Sequence, residues 1–265
     1  MRFRFQRKYL AIPYAVFLVL FIILPILLIV YYAFTDANGT FSFDAFTQFF
    51  TSTAKLNVLV NSAMFSILNT VICLAIGYPL AYLLANKKYN KNAVLVMLFV
   101  TPMWINFVLR TWATRDVLTW LGIGGGTNPY LATIIGLVYN YLPFVVLPLY
   151  TTMLKLDKYQ IEAAIDLGCN KAQVFTKSII PQTIPGVVSA ALMVFMPTMS
   201  SYVISDVLSE GKITLLGNSI YLSFSNSQWN QGSLMALVML VIVFISMFFT
   251  RNYTEKDARG ETTKW

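Results

Sequence analysis

The chain alternates between long apolar stretches and short polar ones. Six stretches are apolar enough to consider as membrane helices, at about 11–34, 58–84, 93–109, 130–154, 184–204 and 234–250. A hydrocarbon core about 30 Å thick is crossed by about 20 helical residues. The third stretch is cut short by Arg110, and the sixth is only just long enough. The pattern predicts an all-α polytopic membrane protein in which six transmembrane helices form a single domain, 1–265.

Composition supports the same class. Hydrophobic residues make up 57% of the chain and charged residues 11%, and the mean hydropathy is +0.66. An average soluble domain carries about 25% charged residues. A chain this poor in charge does not have enough polar surface for a soluble domain of its length.

The basic residues fall mainly on one side of the predicted membrane. If the segments alternate, one face holds fifteen of them: Arg2, Arg4, Arg7, Lys8, Lys87, Lys88, Lys91, Lys155, Lys158, Lys171, Lys177, Arg251, Lys256, Arg259 and Lys264. The other face holds Lys55, Arg115 and Lys212. Positive loops stay in the cytoplasm, so both termini and the polar segment after the fourth helix are predicted to be cytoplasmic. The net charge of +8 is explained by topology, and no nucleic-acid partner is inferred from it.

The residue types exclude several kinds of chemistry. There is no histidine, and the two cysteines, Cys73 and Cys169, do not cluster with carboxylates, so no metal site is predicted. The glycine-rich run Gly122–Thr127 is followed by Asn128 and Pro129 and lacks the Lys-Ser/Thr pair of a phosphate-binding loop. We therefore expect no catalytic residue and no cofactor on this chain, and any work with ATP is expected of a partner.

A polar segment of unusual length, 155–182, separates the fourth and fifth apolar stretches. Asp157 provides a helix start, and Gly168 is suited to ending the short helix that follows. Asn170 with Gln173 repeats the start signal for a second short helix to about Ile179, after which Pro181 and Pro185 are expected to mark the return to the membrane. The spacing alone leaves two interpretations open, a docking surface for a soluble protein and an amphipathic helix lying on the lipid.

The spacing of Glu162-Ala163-Ala164, Gly168 and Pro181 resembles the EAA loop of binding-protein-dependent ABC importer permeases. Ser178 and Ile180 stand where that pattern has isoleucine and leucine. The resemblance implies a type I importer permease bundle in which the first short helix is the coupling helix and sits in a cleft on the ATPase. It makes Glu162, Ala163, Ala164, Gly168 and Pro181 the ATPase-coupling residues within a cytoplasmic coupling loop, 155–182.

The same resemblance implies a set of partners. These are a second homologous permease subunit, two cytoplasmic ATPase subunits that bind ATP, an external substrate-binding protein and the lipid of a bacterial inner membrane. The chain itself is then a transport subunit without enzymatic activity.

Further motifs are similar to the spermidine/putrescine permeases, and to their first permease subunit in particular. They are Gly77–Tyr82, Pro102–Asn106 with Arg110, Gly136–Tyr139, Leu142–Phe144, Pro148–Tyr150 and Lys155–Asp157. Related motifs occur in permeases for thiamine, metal ions and other small solutes, which stay open as alternatives. A secondary transporter and a membrane scaffold are the alternatives outside the family.

A polyamine is a flexible polycation, and carboxylates and aromatic faces are expected along its path. Asp206 closes the fifth apolar stretch and is the candidate carboxylate near the outer mouth. Tyr202, Tyr139 and Trp104 are the candidate aromatic residues. Arg110 would repel such a substrate, so it is expected to pair with Asp116 or Asp206, or to contact the binding protein. Four asparagines are expected to bond between helices: Asn61, Asn69, Asn106 and Asn140.

Overall fold

A computed structural model of the chain describes the backbone of residues 11–36, 39–86 and 94–262, with the side chains of 12–36, 39–86 and 94–251. The described helices are α1 (Ala11–Leu18), α2 (Leu24–Ala33), α3 (Asp44–Thr51), α4 (Thr53–Ala85), α5 (Val94–Val100), α6 (Phe107–Trp120), α7 (Pro129–Leu154), α8 (Lys158–Asp166), α9 (Lys171–Val174), α10 (Ile180–Ser200), α11 (Val203–Ser209), α12 (Leu216–Ser225) and α13 (Trp229–Thr262). Of the basic residues counted above, Arg2, Arg4, Arg7, Lys8, Lys87, Lys88, Lys91 and Lys264 lie outside this description.

Five helical segments are long and apolar enough to cross a membrane. They are Ile12–Ala33, Thr53–Ala85, Pro129–Leu154, Lys171–Ser200 and Trp229–Arg251. A bent pair, Val94–Trp104 with Phe107–Trp120, brings the number to six if the pair is one span. The predicted all-α polytopic fold is confirmed, and the single-domain boundary stays a prediction.

The third predicted helix is not a straight span over 93–109. Its two halves meet at an angle of 94°, and the second half continues past Arg110 to Trp120. Pro102 lies in a 3-10 turn, Thr101–Trp104, after which Ile105 turns to extended backbone. Asn106 then begins α6, because its side chain accepts a hydrogen bond from the Val108 amide at 2.8 Å. The cap makes Asn106 a helix start rather than the interhelical partner expected from the sequence.

The fifth span begins earlier than predicted. Helical backbone runs from Lys171 to Ser200, so Pro181 and Pro185 do not separate a surface helix from a membrane helix. Pro181 is the second residue of α10. A π-helical turn, Phe175–Ile179, joins α9 to α10 just before it. The predicted loop 155–182 therefore overlaps the start of this span.

The chain divides into two compact units, each described here by itself. The first comprises Met1–Asn57 and Ser219–Val241, and the second Val58–Asn218 and Ile242–Trp265. In the first unit, Asn230 Nδ2 donates to the Tyr32 carbonyl at 3.1 Å, and Lys55 Nζ donates to Gln231 Oε1 at 2.9 Å. These bonds join the start of the last span to the end of the first span, at Tyr32, and to the start of the second, at Lys55.

In the second unit, α7 lies at the centre of the core. Val145, Val146 and Leu149 are fully buried there. Gly77 lets α4 approach α7 closely, since an added Cβ would lie 2.7 Å from Val145 Cγ1. Between α4 and α10, Asn69 Nδ2 donates to Thr198 Oγ1 at 2.8 Å, the interhelical bond expected of Asn69. Small residues and such bonds hold helices together where lipid supplies no hydrophobic drive.

Candidate coupling helix and transport pathway

The short helix predicted after Asp157 is present as α8, Lys158–Asp166. Its coupling role stays a prediction. Asp157 caps it, because one carboxylate oxygen accepts from the Tyr159 amide at 2.9 Å. Gly168 follows the helix end with φ +78°, and its amide donates to the Ile165 carbonyl at 2.9 Å. Glycine adopts this left-handed conformation without steric cost. Asp157 and Gly168 therefore fix the two ends of α8 as the sequence predicts.

The second predicted start is also present. Asn170 Oδ1 accepts from the Gln173 amide, and Gln173 Oε1 accepts from the Asn170 amide, both at 2.9 Å. This reciprocal capping box satisfies two amides at the start of α9. Gly168 and Cys169 therefore separate two short helices, each with its own cap.

The outer face of α8 is exposed and partly apolar. Glu162, Ala163 and Gly168 are exposed and Ala164 is half-buried. Tyr159 is 83% exposed and Leu167 is 85% exposed, one at each end of this small-residue surface. Large exposed apolar groups grouped around a flat patch are typical of an interaction site. Three of the predicted coupling residues, Glu162, Ala163 and Gly168, are thus open to solvent, while Pro181 lies apart from them in α10.

Aromatic contacts that were not expected from the sequence connect the π-helical turn to α4. Phe175 packs edge-to-face against Tyr82 at 5.6 Å and against Tyr78 at 6.0 Å, measured between ring centroids. The Tyr78 hydroxyl also lies 2.9 Å from Thr183 Oγ1 of α10. Tyr78 and Tyr82 are four residues apart on one helix and so share a face, which is the signal that could have found them.

A second connection runs through Gln182 of α10. The Asp157 amide donates to Gln182 Oε1 at 3.0 Å, and Gln182 Nε2 donates to the Ser178 carbonyl at 3.1 Å. Because Asp157 is also the cap of α8, the start of the short helix is attached directly to the first turn of α10, within the fifth span.

The bend of the third span borders a cavity of about 440 Å³. It is lined by Met103, Trp104, Ile105, Asn106, Phe107, Arg110, Asn140, Tyr141, Phe144 and Ile204. Trp104, which is 88% exposed, is the predicted pathway residue among them. Tyr139 lies next to this cavity, with its ring centroid 5.6 Å from the Arg110 guanidinium carbon.

The expected pairing of Arg110 with Asp116 or Asp206 is wrong. Arg110 donates instead to the Pro102 carbonyl at 3.0 Å and to Asn140 Oδ1 at 2.8 Å. An ion pair joins Arg115 Nε to Glu210 Oε1 at 4.0 Å. Asn140 thus makes the interhelical bond expected of it, with Arg110 as the donor.

Asp206 and Tyr202 belong to a different part of the second unit. Asp206 is exposed on α11, and its Oδ1 accepts from Asn218 Nδ2 at 3.4 Å. Tyr202 directly precedes α11 and is 42% exposed. Neither residue lines the cavity at the bend, although Ile204 of the same helix does.

Among the described residues, no group of three Cys, Asp or Glu side chains comes together as metal ligands would.

Long apolar helices, a broken span and a capped short helix between spans define a transport permease. The chain belongs to the family of binding-protein-dependent transport system inner membrane components, whose sequence profile matches residues 76–259. It is accordingly a multi-pass membrane protein.

Two curated relatives carry the comparison further. The chain is 33% identical to the spermidine/putrescine transport system permease protein PotB of Escherichia coli K12, over 85% of this chain and 90% of that protein. It is 32% identical to PotB of Haemophilus influenzae, over 92% of each.

Solved structures share the fold. A bacterial ABC transporter that imports the acidic polysaccharide alginate has a chain that superposes with a TM-score of 0.72, at 17% identity and over 92% of this chain and 94% of that one. The same kind of transporter in complex with an alginate pentasaccharide-bound periplasmic protein gives a TM-score of 0.73 at 16% identity, over 93% and 94% of the two chains. At these identities the likeness concerns the fold alone.

Proposed function

We propose that this chain is a permease subunit of an ATP-driven, binding-protein-dependent importer, and that its cargo is spermidine or putrescine. The observation that carries the ATP-driven part is α8, a capped nine-residue helix with exposed small residues, whose cap residue Asp157 is bonded to Gln182 of α10. The π-helical turn that follows contacts α4 through Phe175. The names of relatives at 32–33% identity support the cargo.

The attachments of α8 suggest how movement would pass into the membrane. An ATPase that binds Glu162, Ala163, Ala164 and Gly168 would shift α8 when its own dimer closes. Gln182 would carry the shift to α10, and Phe175 would carry it to Tyr78 and Tyr82 of α4. The ATPase dimer is the two-state element, and the spans follow it. ATP itself would stay on the partner, and no bond would be made or broken on this chain.

The partners in this proposal are a second permease subunit, two ATPase subunits, an external binding protein and membrane lipid. The excess of basic residues on one face supports cytoplasmic termini and a cytoplasmic α8, in a bacterial inner membrane.

The orientation can be tested in sealed vesicles with an impermeant maleimide that reacts with Cys169, which lies between α8 and α9. ATP should support transport only when it is added on the side of the membrane from which Cys169 is labelled.

The proposal is tested by co-reconstituting the chain with its partner permease, ATPase and binding protein in proteoliposomes. We expect spermidine uptake that requires ATP and stops when a hydrolysis-deficient ATPase replaces the normal one. Unlabelled putrescine should compete, and thiamine or divalent metal ions should not. Uptake without the ATPase would indicate a secondary transporter, and ATPase binding without any uptake would indicate a scaffold. Competition by thiamine or a metal alone would reassign the cargo within the family.

Asp206 is proposed as a substrate contact, with Tyr202, Tyr139 and Trp104 offering aromatic faces to the cation. Replacing Asp206 by asparagine should lower the spermidine uptake rate about two- to fivefold, the range expected for one solvent-exposed charge contact. The asparagine keeps the acceptor for Asn218, so the fold should be retained. Asp116→Asn is the matched control, an exposed carboxylate on α6 that is expected to transport normally. Equal rates for the two variants would remove Asp206 from the pathway.

A further inference from the structure

Arg110 is a buried cation whose hydrogen-bond acceptors are both uncharged. Its side chain belongs to α6 and only 8% of the residue is exposed. One terminal nitrogen donates to the Pro102 carbonyl and the other to the amide oxygen of Asn140. Its Nε is buried and has no hydrogen-bond partner among the described residues. A buried charge without a counter-charge is costly, and in membrane segments such residues usually serve function.

The two acceptors come from different elements. Pro102 lies in the turn Thr101–Trp104 on one side of the 94° bend, and Arg110 lies on the other side. Asn140 lies in α7, the central helix of the core, and its own Nδ2 donates to the Gly136 carbonyl at 2.9 Å. One guanidinium therefore connects the turn, α6 and α7. A planar fork of donors can span two acceptors in this way, whereas an ammonium group is a point charge.

The turn held by Arg110 carries Trp104. Trp104 follows Pro102 by two residues, is 88% exposed and lines the cavity together with Arg110 and Asn140. The 3-10 turn is short and is closed by the Ile105 amide, which donates to the Pro102 carbonyl at 3.3 Å. The same carbonyl accepts from Arg110 at 3.0 Å, and this second bond ties the segment that positions the tryptophan to α6.

We propose that Arg110 is a positioning residue of the transport pathway, holding the turn 101–104 against α7 so that Trp104 is fixed beside the cavity. This inference rests on the proposed transport function. It assigns Arg110 a geometric role, in contrast to a role as a positive charge that excludes or steers cations.

The geometric role and the charge role of Arg110 predict different uptake rates for the same set of variants. Arg110→Gln removes both the fork and the charge, and Arg110→Lys keeps the charge without the fork. Asn140→Leu removes the acceptor in α7, and Asn140→Asp keeps an acceptor of the same shape. Arg115→Gln is the matched control, because Arg115 lies on the same helix but pairs with Glu210 outside the cavity.

Two measurements are made on the full complex. The first is the maximal rate of ATP-driven spermidine uptake at saturating binding protein. The second needs no transport: Trp104→Cys is introduced into a Cys169→Ser background, and the rate of maleimide labelling is followed. Cys73 is fully buried and can remain.

We expect Arg110→Gln and Asn140→Leu each to lower the maximal uptake rate about tenfold, since hydrogen bonds to charged groups are among the stronger ones. Each should change the labelling rate at position 104 by about threefold or more, because the turn is released. Arg110→Lys should restore uptake only in part, Asn140→Asp should keep clearly more uptake than Asn140→Leu, and Arg115→Gln should leave both measurements unchanged. The double variant Arg110→Gln/Asn140→Leu should be no slower than either single one, because the two residues act together.

Full uptake in Arg110→Lys together with faster uptake in Arg110→Gln would assign Arg110 a charge role and overturn the proposal. Unchanged labelling in Asn140→Leu would also overturn it. If Arg110→Gln fails to reach the membrane, the comparison of Asn140→Leu with Asn140→Asp tests the positioning role on its own. A wild-type complex that carries no polyamine would contradict the proposed function, while the labelling rates would still test the position of the turn.

Discussion

Replacing Gly168 by proline should abolish ATP-driven uptake while the protein still reaches the membrane. Gly168 has a φ of +78°, and its amide donates to the Ile165 carbonyl at 2.9 Å. Proline fixes φ near about −65° and has no amide hydrogen, so neither the left-handed conformation nor the bond can form. The end of α8 would be rebuilt and the helix would lose its direction. Uptake and ATPase activity, both measured in proteoliposomes, report the loss: hydrolysis is expected to continue without transport.

Gly122→Pro is the matched control for this variant. Gly122 has a φ of +74°, and its amide donates to the Thr119 carbonyl at 3.0 Å, so the local damage is the same. Gly122 lies between α6 and α7, away from α8 in the chain. The Gly122→Pro variant should therefore keep its ATP hydrolysis coupled to spermidine uptake. Glu162→Lys tests the same surface without altering the backbone and should also stop uptake. Normal transport in both Gly168→Pro and Glu162→Lys would remove the coupling assignment.

Replacing Gly125 by alanine adds a single methyl group but should clearly destabilise the second unit. A Cβ at this position would lie 2.8 Å from the Ser209 carbonyl carbon and closer still to the Leu208 carbonyl oxygen. Both atoms are backbone and cannot rotate away, so α11 must shift. Overpacking of this kind costs about 1–3 kcal/mol. A lower melting temperature and a lower yield in detergent are expected, with slower uptake because α11 carries Asp206.

The neighbouring Gly126 provides the comparison. A Cβ there would meet only Glu210 Oε2, at 3.6 Å, which is ordinary contact with a flexible side chain. Gly126→Ala should therefore melt at the wild-type temperature. Identical melting of the two alanine variants would contradict the tight approach of the 122–126 loop to the end of α11.

Local signals along the chain were enough to predict the class and the short capped helix α8. Lipid selects apolar runs of sufficient length, so composition alone indicates a helical membrane protein. The ends of α8 are set by side chains that bond to backbone within a few residues, as Asp157 does to Tyr159 and Asn170 to Gln173. Such short-range bonds leave a recognisable spacing, and for this reason the predicted caps are present.

What spacing could not predict depends on residues far apart in the chain. Pro181 was expected to end a surface helix, but the π-helical turn before it allows the backbone to continue into the span. Arg110 was expected to find a carboxylate. The 94° bend instead brings it to Pro102, and packing brings Asn140 of α7 within 2.8 Å. The contacts of Phe175 with Tyr78 and Tyr82 depend in the same way on how α4 lies beside the loop.

The amino-acid sequence by itself determined that this protein is a bundle of membrane helices with a capped short helix between two of them. Hydrophobic length and local capping act over a few residues, and neither needs a neighbouring helix. Only the tertiary structure decided that the third span is broken, that the cap of α8 is bonded to α10 while the π-helical turn packs on α4, and that Arg110 binds neutral oxygens. These features come from the approach of helices distant in sequence, and local pattern carries no information about which side chains that approach will bring together.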